Sequence, residues 1–147
     1  MKKKVLIFLT HNMSLESWSK AKILDREIFP FLKRTNYDFI FISYGKNNEK
    51  KYLNKYDNLK VYKIKKSSLT NIPFSRIILP IYSLFVDNQL KKYVKESELL
   101  ISNQMDGALL PAILKIFYKK KFILRTGYSL SFFNNKIKKN NFLTKIF

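Results

Sequence analysis

Cysteine is absent from the 147 residues, histidine occurs once and glycine only three times. Without thiols the chain can form no disulfide framework, no thiolate metal centre and no redox pair, which is compatible with a reducing cytoplasm. A lone histidine, His11, excludes a multi-histidine metal site. With glycine confined to Gly45, Gly107 and Gly127, neither a G-x-G-x-x-G turn nor a Walker-type loop can follow the first strand. That argues against ordinary dinucleotide oxidoreductases and phosphate-loop NTPases. The G-x-S-x-G and H-E-x-x-H signatures are missing too. No apolar run reaches the roughly 20 residues of a membrane-spanning helix. The one at residues 5–10 ends on His11 and Asn12 with no small-residue cleavage site, so it reads as a strand and not as a signal peptide. The one at residues 77–86 is interrupted by Pro80.

Acid is scarce as well: 10 Asp and Glu face 29 Lys and Arg, a formal charge of +19. Three readings compete for this excess. Lysine, asparagine, isoleucine, phenylalanine and tyrosine are all abundant, the signature of A+T-rich coding sequence displayed on a solvated surface. Attraction to an anionic membrane is the second reading, and nucleic-acid binding the third. Arginine occurs only at Arg26, Arg34, Arg76 and Arg125, which weighs against nucleic acid, because bidentate recognition of bases and phosphates favours guanidinium.

What is present is an alternation of strand and helix patterns in a chain of single-domain length, with 46% apolar residues to fill its core. Residues 5–10 form a continuous apolar run, as expected of a central parallel strand covered on both faces. Ser14 can cap the next helix, with Glu16 in its first turn. Leu15, Trp18, Ala21, Leu24, Ile28 and Leu32 make one apolar stripe, with a kink or early end expected at Pro30. A second strand is expected over residues 37–44. A mobile polar loop should follow over residues 46–58, with a helical turn near residues 51–56. An edge strand is expected over residues 59–64. Residues 73–95 read as a helix kinked at Pro80, with Ile77, Leu84, Leu90 and Val94 on the buried side. Residues 99–101 read as a fourth strand, residues 107–118 as an extensively buried helix, and residues 121–124 as a fifth strand. The expected fold is therefore a single α/β domain over residues 1–147, Rossmann-like, with helices on both faces of a parallel sheet. Residues 129–147 hold Phe132, Phe133, Ile137, Phe142, Ile146 and Phe147 and resemble an unfinished helix, so the domain is expected to be incomplete at its C-terminus.

In such a sheet, ligands gather at the carboxyl ends of the strands. Three polar clusters should meet there: Thr10, His11, Asn12, Met13 and Ser14; then Ser102, Asn103, Gln104, Met105, Asp106 and Gly107; then Arg125, Thr126, Gly127 and Tyr128. Local roles compete at many of these positions. His11 can serve as a loop hydrogen bonder and Ser14 as a helix cap. Asn103 and Asp106 can satisfy a turn and a helix start, and Gly107 and Gly127 can supply close backbone approach. Arg125, a scarce guanidinium directly after an apolar strand, suits a phosphate or carboxylate.

Residues 4–10, residues 13–18 (Met-Ser-Leu-Glu-Ser-Trp), residues 24–28, residues 102–108 and residues 124–128 together resemble the N-terminal, acceptor-side domain of GT-B-type, family-4-like glycosyltransferases. The likeness spans nearly the whole chain on short motifs. It implies two Rossmann-like domains facing a cleft, transfer of a sugar from a nucleotide-sugar donor to a cell-surface glycan or lipid-linked acceptor, and neither a metal nor a cofactor besides the donor substrate. The donor-binding C-terminal domain, with its E-x7-E-type motif, has no counterpart in these residues, so the chain alone is expected to be inactive. The glycine-rich turn of many relatives is replaced by His11-Asn12-Met13. The resemblance places Thr10, Asn12, Asn103, Gln104, Asp106, Arg125, Thr126, Gly127 and Tyr128 along the cleft and assigns no catalytic residue. It also implies a cytoplasmic protein in polysaccharide biosynthesis for the cell envelope, with peripheral contact at the inner face of the membrane. The alternative is a non-catalytic Rossmann-like binding or interaction module.

Overall fold

The computed structural model describes residues 2–45, 48–65 and 74–125, apart from the Arg76 side chain. Five strands make one sheet: β1 (Lys3–Phe8), β2 (Tyr37–Ser43), β3 (Leu59–Lys63), β4 (Ser97–Ser102) and β5 (Lys121–Leu124). Their order is β3-β2-β1-β4-β5 and every pairing is parallel. Central β1 is covered on both faces, and Val5, Leu6, Ile7, Phe8 and Leu9 are all buried. Its register sets Leu6 beside Ile40 on one side and Leu100 on the other. The expected Rossmann-like α/β sheet is thus the observed one.

Side chains alternate between two cores, as the two-residue period of a strand requires. Leu6, Phe8, Ile40, Ile42 and Leu100 point to one face. There they meet α3 (Ser75–Val86), α4 (Asn88–Glu96) and α5 (Leu109–Tyr118) through Leu79, Leu84, Leu90, Val94, Leu110 and Leu114. Val5, Ile7, Leu9, Phe39 and Phe41 point to the other face. They meet α1 (Leu15–Lys20), α2 (Leu24–Leu32) and Leu53 through Leu15, Trp18, Ile28 and Phe31. The Trp18 and Phe31 rings stand edge-on to Phe41, with centroids 6.3 and 5.7 Å away, the arrangement favoured by aromatic quadrupoles. Each such side chain contributes about 1.5–3 kcal/mol by leaving water.

Several local expectations need correction. The first helical stripe is two helices, broken at residues 21–23 where Lys22 takes a left-handed φ of 56°; Pro30 lies inside α2 without ending it. Pro80 likewise sits inside α3, and the break falls at Asp87, which closes α3 and caps α4 with its own carboxylate. Ile77, expected inside, is exposed, and Ile116 and Phe117 make α5 less buried than expected. The polar loop is anchored, not simply a solvated surface: Glu49 and Leu53 are buried around a 3-10 turn at Lys50–Tyr52. Pro73 and the tail at residues 129–147 lie outside the described residues. The expected Ser14 cap is present, as a capping box closed reciprocally with Ser17.

The placement of α3 matters for the rim. Ser75 Oγ lies 3.2 Å from His11 Nε2 at the tip of β1. Asp87 at the other end accepts from the Tyr62 hydroxyl and the Lys65 backbone at the tip of β3. α3 therefore crosses the carboxyl edge of the sheet, and α4 runs back down to the start of β4.

Candidate ligand-binding rim

β1, β4 and β5 end side by side, and their backbones continue the sheet for one more step: Asn103 N–H donates to Phe8 O at 2.9 Å and Arg125 N–H to Ser102 O at 3.1 Å. Those two bonds set the side chains. Asn103 is buried, and its Oδ1 accepts from Arg125 Nη1 at 3.0 Å. Arg125 Nη2 stands 3.8 Å from Glu27 Oε2 on α2, whose other oxygen is held by Arg26 at 2.9 Å. The Arg125 side chain keeps 41% of its surface in water. An arginine clamped by one amide and one distant carboxylate retains donors for an incoming anion.

Thr10 Oγ1 donates to Gln104 Oε1 at 3.2 Å, joining the first cluster to the second. Close approach of the backbones makes this contact: a Cβ on Gly107 would lie 2.5 Å from Leu9 O and 3.1 Å from Thr10 Cα. Only glycine lets the 3-10 turn Met105–Gly107, which carries Asp106, seat against the end of β1. The structure thus unites Thr10, Asn103, Gln104 and Arg125. Asn12 does not join them by any hydrogen bond that fixes its side chain; it is exposed and takes a left-handed φ of 63° in the turn that Met13 N–H closes onto Thr10 O. Thr126, Gly127 and Tyr128 lie outside the described residues.

His11 is occupied locally. Its ring packs on Tyr44 with centroids 5.3 Å apart and its Nε2 faces Ser75, the arrangement of a loop hydrogen bonder. Burial pushes the Tyr44 hydroxyl well above its ordinary pKa, so it stays neutral. Among the described residues no group of three His, Asp or Glu could hold a metal ion, and no helix is long and apolar enough to cross a membrane.

Sequence reasoning missed Glu49. Its buried carboxylate accepts from Glu16 N–H, in the first turn of α1, at 3.1 Å and from the Ser43 hydroxyl, which in turn accepts from Gly45 N–H at 3.0 Å. The helix end that carries phosphate in many nucleotide-binding α/β domains is here filled by the protein's own anion. Gly45 leaves room for it, since a Cβ there would lie 2.5 Å from Glu49 Cδ and displace the carboxylate. The available signal was that Glu49 is the only acid between Asp38 and Asp57.

The apolar hollow of about 250 Å³ between α2 and β5, lined by Val5, Phe31, Leu99, Ile101 and Ile123 among others, lies on the face of the sheet and away from this rim. No protein-family model, curated protein or solved structure matches the chain.

Proposed function

We propose that this chain is the acceptor-side half of a sugar transferase, which works with a separate donor-binding domain to move a sugar from a nucleotide-sugar donor to a cell-surface glycan or lipid-linked acceptor. The reading places it in the cytoplasm, at the inner face of the membrane. Its main support is the convergence of Arg125, Asn103, Gln104 and Thr10, from three strand ends, on one rim. A half-exposed guanidinium beside amide and hydroxyl groups suits a polyhydroxyl ligand carrying a phosphate or carboxylate. Of the segments that resemble the family-4-like N-terminal domain, residues 9–10, 102–104 and 124–125 belong to these strand ends, while residues 15–18 and 24–28 belong to α1 and α2. Neither a metal nor a cofactor enters the reading. No general base is assigned on this half, and stabilisation of a departing nucleotide diphosphate falls to the partner domain.

A second reading, a non-catalytic binding or interaction module, draws on a specific observation. Glu49 fills the α1 helix end, so the fold's usual anion site is closed.

Calorimetric titration of nucleotide sugars, short anionic glycans and lipid-phosphate sugar acceptors into the chain tests the first reading. It predicts binding of the acceptors, weakened about tenfold by Arg125→Ala, with no sugar transfer by the isolated chain. Transfer by this chain alone would refute the division of labour. Failure of every acceptor to bind would favour the module.

A further inference from the structure

Helix α3 turns its apolar side outward. Phe74, Ile77, Ile78, Ile81 and Phe85 are all exposed, the two phenylalanines at 78% and 68%. Their spacing of three and four residues puts them on one stripe. Leu79, Ser83 and Leu84 face the other way and are buried, so the stripe is not the helix's core side misplaced.

Acids are few in the sequence on either side of the stripe. No Asp or Glu lies between Asp57 and Asp87, and none follows Asp106. Asp87 itself is buried, accepting from Tyr62, Lys65 N–H and Leu90 N–H. Glu96 and Glu98, near the opposite edge of the sheet, are engaged by Lys4 at 2.6 Å and Lys3 at 3.2 Å. Lys91 Nζ meanwhile reaches Phe85 O at 2.8 Å, which holds a cation at the end of the stripe.

We propose that α3 is a membrane-docking helix, lying in the plane of an anionic phospholipid surface with Ile77, Ile78, Ile81 and Phe85 among the acyl chains and Lys91 at the headgroups. An aliphatic stripe with a cation at its end, on a chain of formal charge +19, matches the two layers of such a surface, apolar below and anionic above. Nucleic acid would satisfy the lysines and leave the isoleucines in water. A second copy would cover the isoleucines but bring together two chains of formal charge +19 each. The proposal deepens the membrane placement of the sugar-transfer reading by naming the helix that makes the contact; its observations are those of α3, so it can fail while acceptor binding at the rim stands.

Co-sedimentation of the chain with phosphatidylcholine vesicles, with and without about one third phosphatidylglycerol, is the test. Binding is expected to the anionic vesicles. The triple change Ile78→Ser, Ile81→Ser, Phe85→Ser should weaken it by about tenfold or more, while the buried Trp18 keeps its native emission. Separately, Phe85→Trp in the otherwise native chain should add an emission component that shifts to the blue on anionic vesicles and is quenched by brominated lipid. Four results would overturn the proposal: no binding to anionic vesicles, unchanged binding by the folded triple variant, no blue shift of the added emission in the Phe85→Trp variant, or a dimer in sedimentation that hides the stripe and does not dissociate on vesicles.

Discussion

Gly107→Ala is the sharpest perturbation of the rim, because the added methyl would meet main chain and not a movable side-chain tip. The new Cβ would lie 2.5 Å from Leu9 O and 3.0 Å from Leu9 C, where ordinary contact begins at 3.4 Å. The 3-10 turn or the end of β1 must therefore shift by roughly 0.9 Å. Both are fixed in place: Leu9 N–H is bonded to Ile42 O at 3.1 Å, and Asn103 N–H to Phe8 O at 2.9 Å. Overpacking of this kind costs about 1–3 kcal/mol. For a domain of this size, with a urea m-value of ~2 kcal/mol/M, a loss of ~2 kcal/mol lowers the denaturation midpoint by ~1 M. Trp18 reports the transition, since it is buried against Phe41 and is the only tryptophan. A midpoint unchanged to within about 0.2 M would refute the close approach of the turn to β1.

Further predictions concern the buried anions. Glu49→Ala strands the Glu16 N–H and Ser43 hydroxyl and should cost about 2–3 kcal/mol. Gly45→Ala should also destabilise by pushing the carboxylate away, and because both act on one site the double variant should fall short of the sum by about 1 kcal/mol or more in urea denaturation. Additive costs would mean that Gly45 and Glu49 do not touch. Asp87→Ala removes the acceptor of Tyr62, Lys65 and Leu90 and the cap of α4, with an expected loss of about 2–4 kcal/mol; a loss under about 0.5 kcal/mol would contradict the network. At alkaline pH, burial raises the Tyr44 hydroxyl, and burial followed by the hydrogen bond to Asp87 and its charge raises that of Tyr62. Folded values above the unfolded value of about 10 mean that this stability is whole below pH ~10 and falls as pH rises beyond it. Stability curves against pH should therefore bend down in that range, and less so in Tyr44→Phe; identical alkaline limbs would count against the burial of Tyr44.

The strands were legible in the sequence because burial on both faces writes itself as unbroken apolar runs, as in Val5 to Leu9. Parallel pairing followed from the alternation with helices. The helix boundaries were less legible. Pro30 and Pro80 look like breaks, yet each merely omits one hydrogen bond within a helix that tertiary packing holds. The true break at Lys22 has no glycine or proline to announce it. The one at Asp87 is announced only by a capping residue in the middle of a long apolar pattern. The rim was readable as three separate clusters, but which members meet depends on strand order: β4 and β5 stand next to one another, so Arg125 reaches Asn103. Glu49 lies in a lysine- and asparagine-rich loop, and only the folded approach of that loop to α1 shows what its carboxylate does. The outward stripe of α3 escaped because the period of a helix marks an apolar side without saying which side faces the core.

The central claim is that the strand ends carrying Thr10, Asn103, Gln104 and Arg125 form the binding surface. Amide chemical-shift mapping by NMR during titration with an anionic glycan or a lipid-phosphate sugar tests it most directly. The predicted result is a saturable shift at those four residues, with Ser43 and Glu49 unmoved. Saturable shifts that leave the four residues still and cluster instead in the hollow between α2 and β5 would contradict it.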